Sequence, residues 1–151
     1  MPTSLWLPRL IALATSAAED DGAHDIHHLH RVWRVAQTLL DAHPEADALV
    51  VLAGCYLHDT VNVPKDHPDR AKASQMAARL ARQMLTDAGF PVDKLDAVAH
   101  AIEAHSFSAA ITPTTIEAQI VQDADRMDAV GAVGLARMFY TAGRMGSALA
   151  H

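Results

Sequence analysis

The sequence contains little cysteine, few aromatic residues and no long hydrophobic run. Its 151 residues include a single cysteine, which excludes an internal disulfide and fits a reducing cytoplasm. Aromatic side chains form only 5% of the chain although 50% of its residues are hydrophobic, so Ala, Leu, Val, Ile and Met must build the core. No stretch approaches the roughly 18 uninterrupted apolar residues of a membrane helix. We therefore expect a cytoplasmic protein with no membrane partner.

Basic residues are scarce relative to acidic ones. Together Lys and Arg number 12 against 18 Asp and Glu, which gives a net charge of −6. Proteins that bind nucleic-acid duplexes present a basic face, so this balance argues against that class. The apolar segment 5–14 has no basic start and is interrupted by Pro8 and Arg9, which argues against a signal peptide.

Ala- and Leu-rich segments with helical periodicity and few glycines predict an all-α protein. We expect a compact bundle of about six helices in a single domain spanning 1–151. Asp69 is expected to cap the fourth helix and Gly89 to end it. The chain ends without a polar tail, so we also expect it to be part of a longer protein. The expected helices cover about 5–18, 25–42, 45–59, 70–88, 91–106, and one last segment from Thr114 or Thr115 through 123–128 into 129–142.

An adjacent His-Asp pair closes the most apolar run of the sequence. His58 and Asp59 follow nine largely apolar residues, 49–57. Burying an imidazole and a carboxylate is costly unless a partner binds them, and a divalent metal would satisfy both. The alternative is a capping Asp beside a hydrogen-bonded core histidine. If the pair binds a metal, other parts of the chain must supply further ligands.

Helical phase separates the ten histidines of the chain. In the His-rich segment 24–30, His28 lies four residues before Val32 and eight before Ala36, so it should face the core. The other three histidines of this segment are expected at a solvated helix start. His105 is in phase with the apolar stripe of its own helix and should also be buried. It would then either contact the metal or lie in the pocket without ligating it.

Three carboxylates late in the chain compete for a last ligand position. Because the helix carrying Asp123, Asp125 and Asp128 is apolar on most sides, periodicity does not choose between them. Carboxylates on a buried helix are costly without cations, which predicts that at least one binds metal. Lys65 and Arg70 flank the loop after the His-Asp pair. They are either solvated loop charges or a clamp for phosphate oxygens.

Taken together, these residues resemble the metal-binding pattern of the HD-domain superfamily of metal-dependent phosphohydrolases. The family pattern is a His, a later His-Asp pair and a distal Asp. The family motifs place the first ligand at His28, three residues before an Arg-Val pair, and the last at Asp125, in an Ala-Asp-Arg motif. The segments that carry the family resemblance are 24–32, 57–59 and 124–127. The chain is most similar to the bacterial YedJ-type branch, on segments 62–65, 68–70, 104–108 and 121–126.

The resemblance implies a metal-dependent phosphohydrolase that acts on a nucleotide, or a related phosphate ester or anhydride, through a metal-activated water. The implied metal ligands are His28, His58, Asp59 and Asp125. The expected ion is Mn, with Ni, Fe, Co, Zn or Mg as alternatives. Either Asp123 or Asp128 would fix the geometry of the ligands. Four residues are expected to act in catalysis: Asp59, Lys65, Arg70 and His105. Lys65 and Arg70 would bind phosphate oxygens. His105 would orient the water or bind a second metal.

The sequence departs from some branches of the superfamily. The (p)ppGpp hydrolases carry an acidic pair shortly after the His-Asp, and 5′-nucleotidase relatives carry a Glu three residues after it. The segment 60–63 has no carboxylate, which weakens both substrate assignments. A non-catalytic module that binds metal and nucleotide as a sensor is therefore the main alternative. A structural helical domain without metal is a third hypothesis, and the sequence assigns no oligomeric state.

Overall fold

The computed structural model describes residues 3–17, 26–61, 63 and 67–146. Within these residues all regular secondary structure is helical, which confirms the predicted all-α class. No helix in this part of the chain is long and apolar enough to cross a membrane. The elements are α1 (Thr3–Ala17), α2 (Ile26–Ala42), α3 (Ala48–Leu57), a 3₁₀ turn (Arg70–Lys72), α4 (Ala73–Asp87), a second 3₁₀ turn (Val92–Lys94), α5 (Leu95–His105), α6 (Ile116–Met127) and α7 (Gly131–Arg144).

Helix α3 is the centre of the bundle. It packs against α1, α2, α5 and α6, and α4 packs mainly on α5. Every residue of α3 from Leu49 to Leu57 is buried, because the helix is apolar on all of its faces. Asp47 caps its amino end by accepting hydrogen bonds from the backbone N–H groups of Leu49 and Val50. Such a cap typically contributes about 1 kcal/mol to stability.

The core contains few aromatic rings, as the composition predicts. Trp6 of α1 meets Phe90 edge to face, with ring centroids 4.8 Å apart. A second group of buried side chains joins α2, α3, α5 and α6, mostly through Ala and Val. Small side chains allow these four helices to approach one another closely, and that approach brings the ends of the helices together.

Two predicted helix boundaries are wrong. Asp69 makes no capping hydrogen bond, and a 3₁₀ turn precedes α4. The last predicted helix is two helices, α6 and α7, separated by a turn at 128–130. Gly131, at the start of α7, has a left-handed backbone with φ of +71°, which the interior of a continuous α-helix does not adopt. Other boundary signals are confirmed: Thr115 caps α6 through the Ala118 N–H, and Gly89 with φ of +75° follows α4.

Gly54 fixes the distance between α3 and α6. A methyl group added at this position would lie 2.8 Å from Cγ2 of Val121, a buried side chain that has little room to move. We expect Gly54→Ala to lower the free energy of unfolding by about 1–2 kcal/mol, because overpacking outweighs the gain in helix propensity. Urea denaturation measures this change. Gly143→Ala is the control, since its added methyl meets no atom within 4 Å; equal stability of both variants would contradict the prediction.

Candidate metal centre

The four predicted metal ligands come from three helix ends. His28 lies in the first turn of α2, His58 and Asp59 follow the last residue of α3, and Asp125 lies in the last turn of α6. His28 Nε2 is 3.3 Å from His58 Nε2 and 3.3 Å from Asp125 Oδ1. Asp59 Oδ2 is 3.6 Å from His28 Nε2 and 3.4 Å from His58 Nε2. We call these four residues the ligand cluster.

The spacing and chemistry of the ligand cluster fit a divalent ion. Tetrahedral donors about 2.1 Å from a metal lie about 3.4 Å from each other, which matches the spacing of the cluster atoms. Two imidazole nitrogens with two carboxylates form a donor set suited to Mn, Fe, Co, Ni or Zn. Both histidines are fully buried, whereas the Asp59 and Asp125 side chains are 22% and 23% exposed. The cluster is therefore open to solvent on its carboxylate side.

Each histidine of the site is oriented through its Nδ1 atom. His58 Nδ1 lies 3.0 Å from the carbonyl oxygen of Cys55, and His28 Nδ1 lies 2.7 Å from Asp128 Oδ2. Because Nδ1 donates to these oxygens, Nε2 is the nitrogen left to face the other ligands. Such second contacts hold metal-ligating imidazoles in place in metalloproteins.

Asp128 is the centre of a buried ion-pair network behind His28. Its carboxylate accepts hydrogen bonds from Arg31 at 2.7 and 3.0 Å and from Arg137 of α7 at 2.8 Å, besides the His28 contact. Burial opposes ionisation of Asp128, but hydrogen bonds from Arg31 and His28 outweigh it and lower the pKa of the carboxyl. Asp123 is exposed on α6. Of the two carboxylates that were expected to orient a metal ligand, Asp128 is the one that contacts His28.

The buried carboxylates and imidazoles of the cluster shift one another's pKa values. Burial alone would lower the pKa of His58, but Asp59 and Asp125 together outweigh it and raise that pKa well above its usual value. Burial would likewise raise the pKa of Asp125, but hydrogen bonds with His28 and His58 hold it well below its usual range.

His105 lies beside the ligand cluster and not within it. Its Nε2 is 3.8 Å from Asp59 Oδ1, and its ring centroid is 4.8 Å from that of His58. His58, Asp59 and His105 form a second group that could hold a metal ion. Since this group needs the same Nε2 atom of His58, the geometry favours one ion over two. Burial, and then the charge on His58, lowers the pKa of His105.

Metal binding is expected to release protons and to weaken as the pH falls. Because the pKa of His58 is raised in the metal-free protein, its imidazole keeps a proton above its ordinary pKa of about 6.5. A metal binds the unprotonated nitrogen, so below the raised pKa the apparent affinity should fall about tenfold per pH unit. Calorimetric titration of Mn²⁺ in buffers of different ionisation enthalpy measures the released protons. An affinity that is constant between about pH 6 and pH 8 would contradict this linkage.

A cavity of about 940 Å³ opens onto the carboxylates of the ligand cluster. Its wall includes Asp59, Asp125 and His105 together with Arg70, which donates a hydrogen bond to the Val63 carbonyl. The structure therefore brings Arg70 to the site, as the clamp interpretation requires. Lys65, the other predicted phosphate-binding cation, lies outside the described residues.

Several residues that lie near the site in the structure have no role assigned from the sequence. Arg31 and Arg137 hold Asp128, and both Arg126 and Phe107 line the cavity. For Arg31 a signal existed, because it lies three residues after His28 and therefore on the same face of α2. For Arg137 no signal existed, because its contact with Asp128 depends on how α7 folds back.

Comparison with known proteins identifies close relatives of this fold and sequence. The uncharacterized protein YpgQ of Bacillus subtilis (strain 168) is 34% identical over 135 residues, covering 87% of this chain and 63% of YpgQ. The chain thus spans less than two thirds of that relative. The crystal structure of YpgQ in complex with ADP matches with a TM-score of 0.74 and 30% identity, covering 99% of this chain and 71% of that one.

Two further crystal structures are similar over most of the chain. A Lactobacillus plantarum protein matches with a TM-score of 0.75 and 33% identity. The match covers 97% of this chain and 66% of the Lactobacillus plantarum chain. A predicted HD superfamily hydrolase from an uncultured Thermotogales bacterium matches with a TM-score of 0.68 and 30% identity, covering 89% and 75%.

The family model of the HD domain matches residues 25–130. This range contains the whole ligand cluster as well as His105 and Asp128. HD domains bind divalent metals, and the chain brings together side chains that could hold one. The resemblance seen in the sequence motifs is confirmed: the chain belongs to the HD domain family.

Proposed function

We propose that this protein is a divalent-metal-dependent phosphohydrolase that acts on a nucleotide. The observation that carries the proposal is the convergence of His28 Nε2, His58 Nε2 and two partly exposed carboxylates on the wall of an arginine-containing cavity. The buried imidazoles and the two carboxylates would hold an ion, and their exposed side would leave room for water and a phosphate oxygen.

The ligand cluster would hold one divalent ion, with Mn as the first choice. When bound, such an ion lowers the pKa of a bound water and polarises a phosphoryl group. The chain itself supplies rigidity: backbone and carboxylate contacts at Nδ1 fix His58 and His28 before any substrate arrives. Preorganised groups of this kind avoid reorganisation during the reaction.

His105 is proposed to accept a proton from the attacking water. Its Nδ1 is 2.6 Å from the Ile102 carbonyl oxygen and donates to it, which leaves Nε2, 3.8 Å from Asp59 Oδ1, as an acceptor. Its lowered pKa keeps the imidazole neutral near neutral pH. This role would replace the carboxylate that segment 60–63 lacks.

Arginines on the cavity wall are proposed to hold the phosphate oxygens. Arg70 and Arg126 both line the cavity beside Asp59 and Asp125. Guanidinium groups bind phosphate in bidentate fashion and neutralise charge that develops during phosphoryl transfer. Lys65, five residues before Arg70 in the sequence, is proposed to assist. YpgQ, which has been crystallised with ADP, supports nucleotides as the first substrate class to test.

The proposal is tested with protein stripped by EDTA and resupplied with Mn, Ni, Co, Mg or Zn in turn. Release of phosphate and of pyrophosphate is measured from nucleoside mono-, di- and triphosphates. We expect turnover that requires added metal and that Asp59→Ala abolishes. Asp96→Ala, which replaces an exposed carboxylate on α5, is the control and should keep full activity.

Two outcomes would contradict the proposal. Metal binding without turnover of any nucleotide would favour the alternative, a non-catalytic module that senses metal and nucleotide. Turnover that survives both EDTA and Asp59→Ala would assign the activity to other groups.

A further inference from the structure

Phe107 is the most exposed large hydrophobic side chain in the described part of the chain. Its side chain is 87% exposed, although it lies only two residues after His105. Two residues span at most about 7 Å, so the ring is tied closely to the candidate site. A single exposed apolar side chain lowers stability little and is common on protein surfaces. Beside a candidate active site, such a side chain indicates that a ligand could cover it.

Phe107 and the ligand cluster share one cavity. The wall that includes Asp59 and Asp125 also includes Phe107 and the flanking Ser106 and Ser108. The opposite helix, α7, contributes apolar side chains to the same wall, among them Leu135 and Met138, which are 57% and 53% exposed. A bare phosphate would need only the polar part of this cavity, whose volume is about 940 Å³.

Arg126 links the aromatic and charged parts of the wall. It follows Asp125 in the sequence, and its guanidinium carbon is 5.9 Å from the centroid of the Phe107 ring. Within the described residues, no carboxylate lies within ion-pair distance of Arg126, which differs in this respect from Arg82 and Arg137. A flat cation next to a flat ring is a common arrangement for stacking a nucleobase while holding its phosphates.

We propose that Phe107 is a specificity-determining residue that stacks the base of a nucleotide whose phosphates lie at the ligand cluster. This inference rests on the proposed function and assigns the part of the substrate that the metal does not contact. Stacking tolerates any base because every base presents a flat face. The site therefore selects for a nucleotide over an inorganic polyphosphate. The hydroxyls of the neighbouring Ser106 and Ser108 hydrogen-bond to each other at 3.1 Å.

The test compares two ligands that differ only by the nucleoside. Manganese-loaded protein is titrated by calorimetry with α,β-methylene-ADP and with methylenediphosphonate, neither of which can be hydrolysed at the bridge. We expect Phe107→Ala to weaken binding of α,β-methylene-ADP by about 5- to 160-fold, the range found for loss of one base–aromatic stack. Binding of methylenediphosphonate should change less than about twofold, since phosphate contacts are untouched.

Matched variants separate stacking from other effects. Phe107→Tyr keeps a ring and should retain affinity for the nucleotide analogue. Val92→Ala removes an apolar group that is 77% exposed outside the cavity and should change neither affinity. An equal loss for both ligands in Phe107→Ala, or no loss for either, would overturn the stacking role. If the wild-type protein binds neither ligand, the proposed function fails before any variant is compared.

Discussion

Replacing Asp125 with Ala is expected to reduce metal-dependent turnover by at least about 100-fold. Loss of a residue that only orients a ligand already costs about 10- to 100-fold in metal affinity or activity, and loss of a ligand should cost more. Asp125 Oδ1 lies 3.3 Å from His28 Nε2 and 3.5 Å from His58 Nε2, so its removal opens one side of the cluster. Initial rates with Mn²⁺ and calorimetric Mn²⁺ affinity measure the effect.

The same helix offers a matched control for this variant. Asp123 lies two residues earlier on α6 and is exposed, so Asp123→Ala removes an identical side chain without opening the cluster. Circular dichroism of both variants checks that α6 is retained. An Asp125→Ala protein that binds Mn²⁺ as tightly as wild type would show that Asp125 is not a ligand.

Asp128→Asn is expected to lower both stability and metal affinity. The carboxylate is only 7% exposed and accepts hydrogen bonds from His28, Arg31 and Arg137. Removing one partner of a buried ion pair costs about 3–5 kcal/mol, and because both arginines are partly exposed we expect about 2–4 kcal/mol here. The amide NH₂ would also face the N–H of His28, which should weaken Mn²⁺ binding by about 10- to 100-fold.

Urea denaturation of the metal-free protein separates these two effects. The stability loss should appear without metal, whereas the affinity loss requires Mn²⁺. Asp96→Asn is the control, since Asp96 also pairs with an arginine but its side chain is 88% exposed, and surface ion pairs contribute little. If Asp128→Asn and Asp96→Asn have the same stability, the network behind His28 contributes nothing to folding.

Helical phase was enough to predict part of the site from the sequence. His28 and His105 are both buried, as their positions relative to neighbouring apolar residues indicate. Phase does not select among the three late carboxylates, because apolar residues occur on most sides of this helix. In the structure Asp123 and Asp125 are about 200° apart around α6, so one faces solvent and the other the cluster. Only the motif resemblance identified Asp125 in advance.

The end of α6 could not be predicted from composition. Segment 129–142 contains no proline and has apolar and alanine residues typical of a helix, so composition does not show that Gly131 adopts a left-handed conformation. That break redirects α7 so that Arg137 reaches Asp128 and Leu135 reaches the cavity wall. Contacts of this kind depend on how the chain folds back in three dimensions. A periodic sequence pattern describes one helix at a time and does not predict them.

Three helices end at the candidate site, and the direction of their backbone dipoles has a consequence for the order of binding. The carboxyl ends of α3, α5 and α6, at Leu57, His105 and Met127, carry partial negative charge, and the amino ends of α2 and α7 oppose them. Together with Asp59 and Asp125 these carboxyl ends favour a cation at the ligand cluster, whereas the arginines on the rest of the cavity wall, Arg70, Arg126 and Arg137, favour an anion. We therefore expect an ordered assembly in which the divalent ion enters first and reverses the local potential, and the anionic substrate follows.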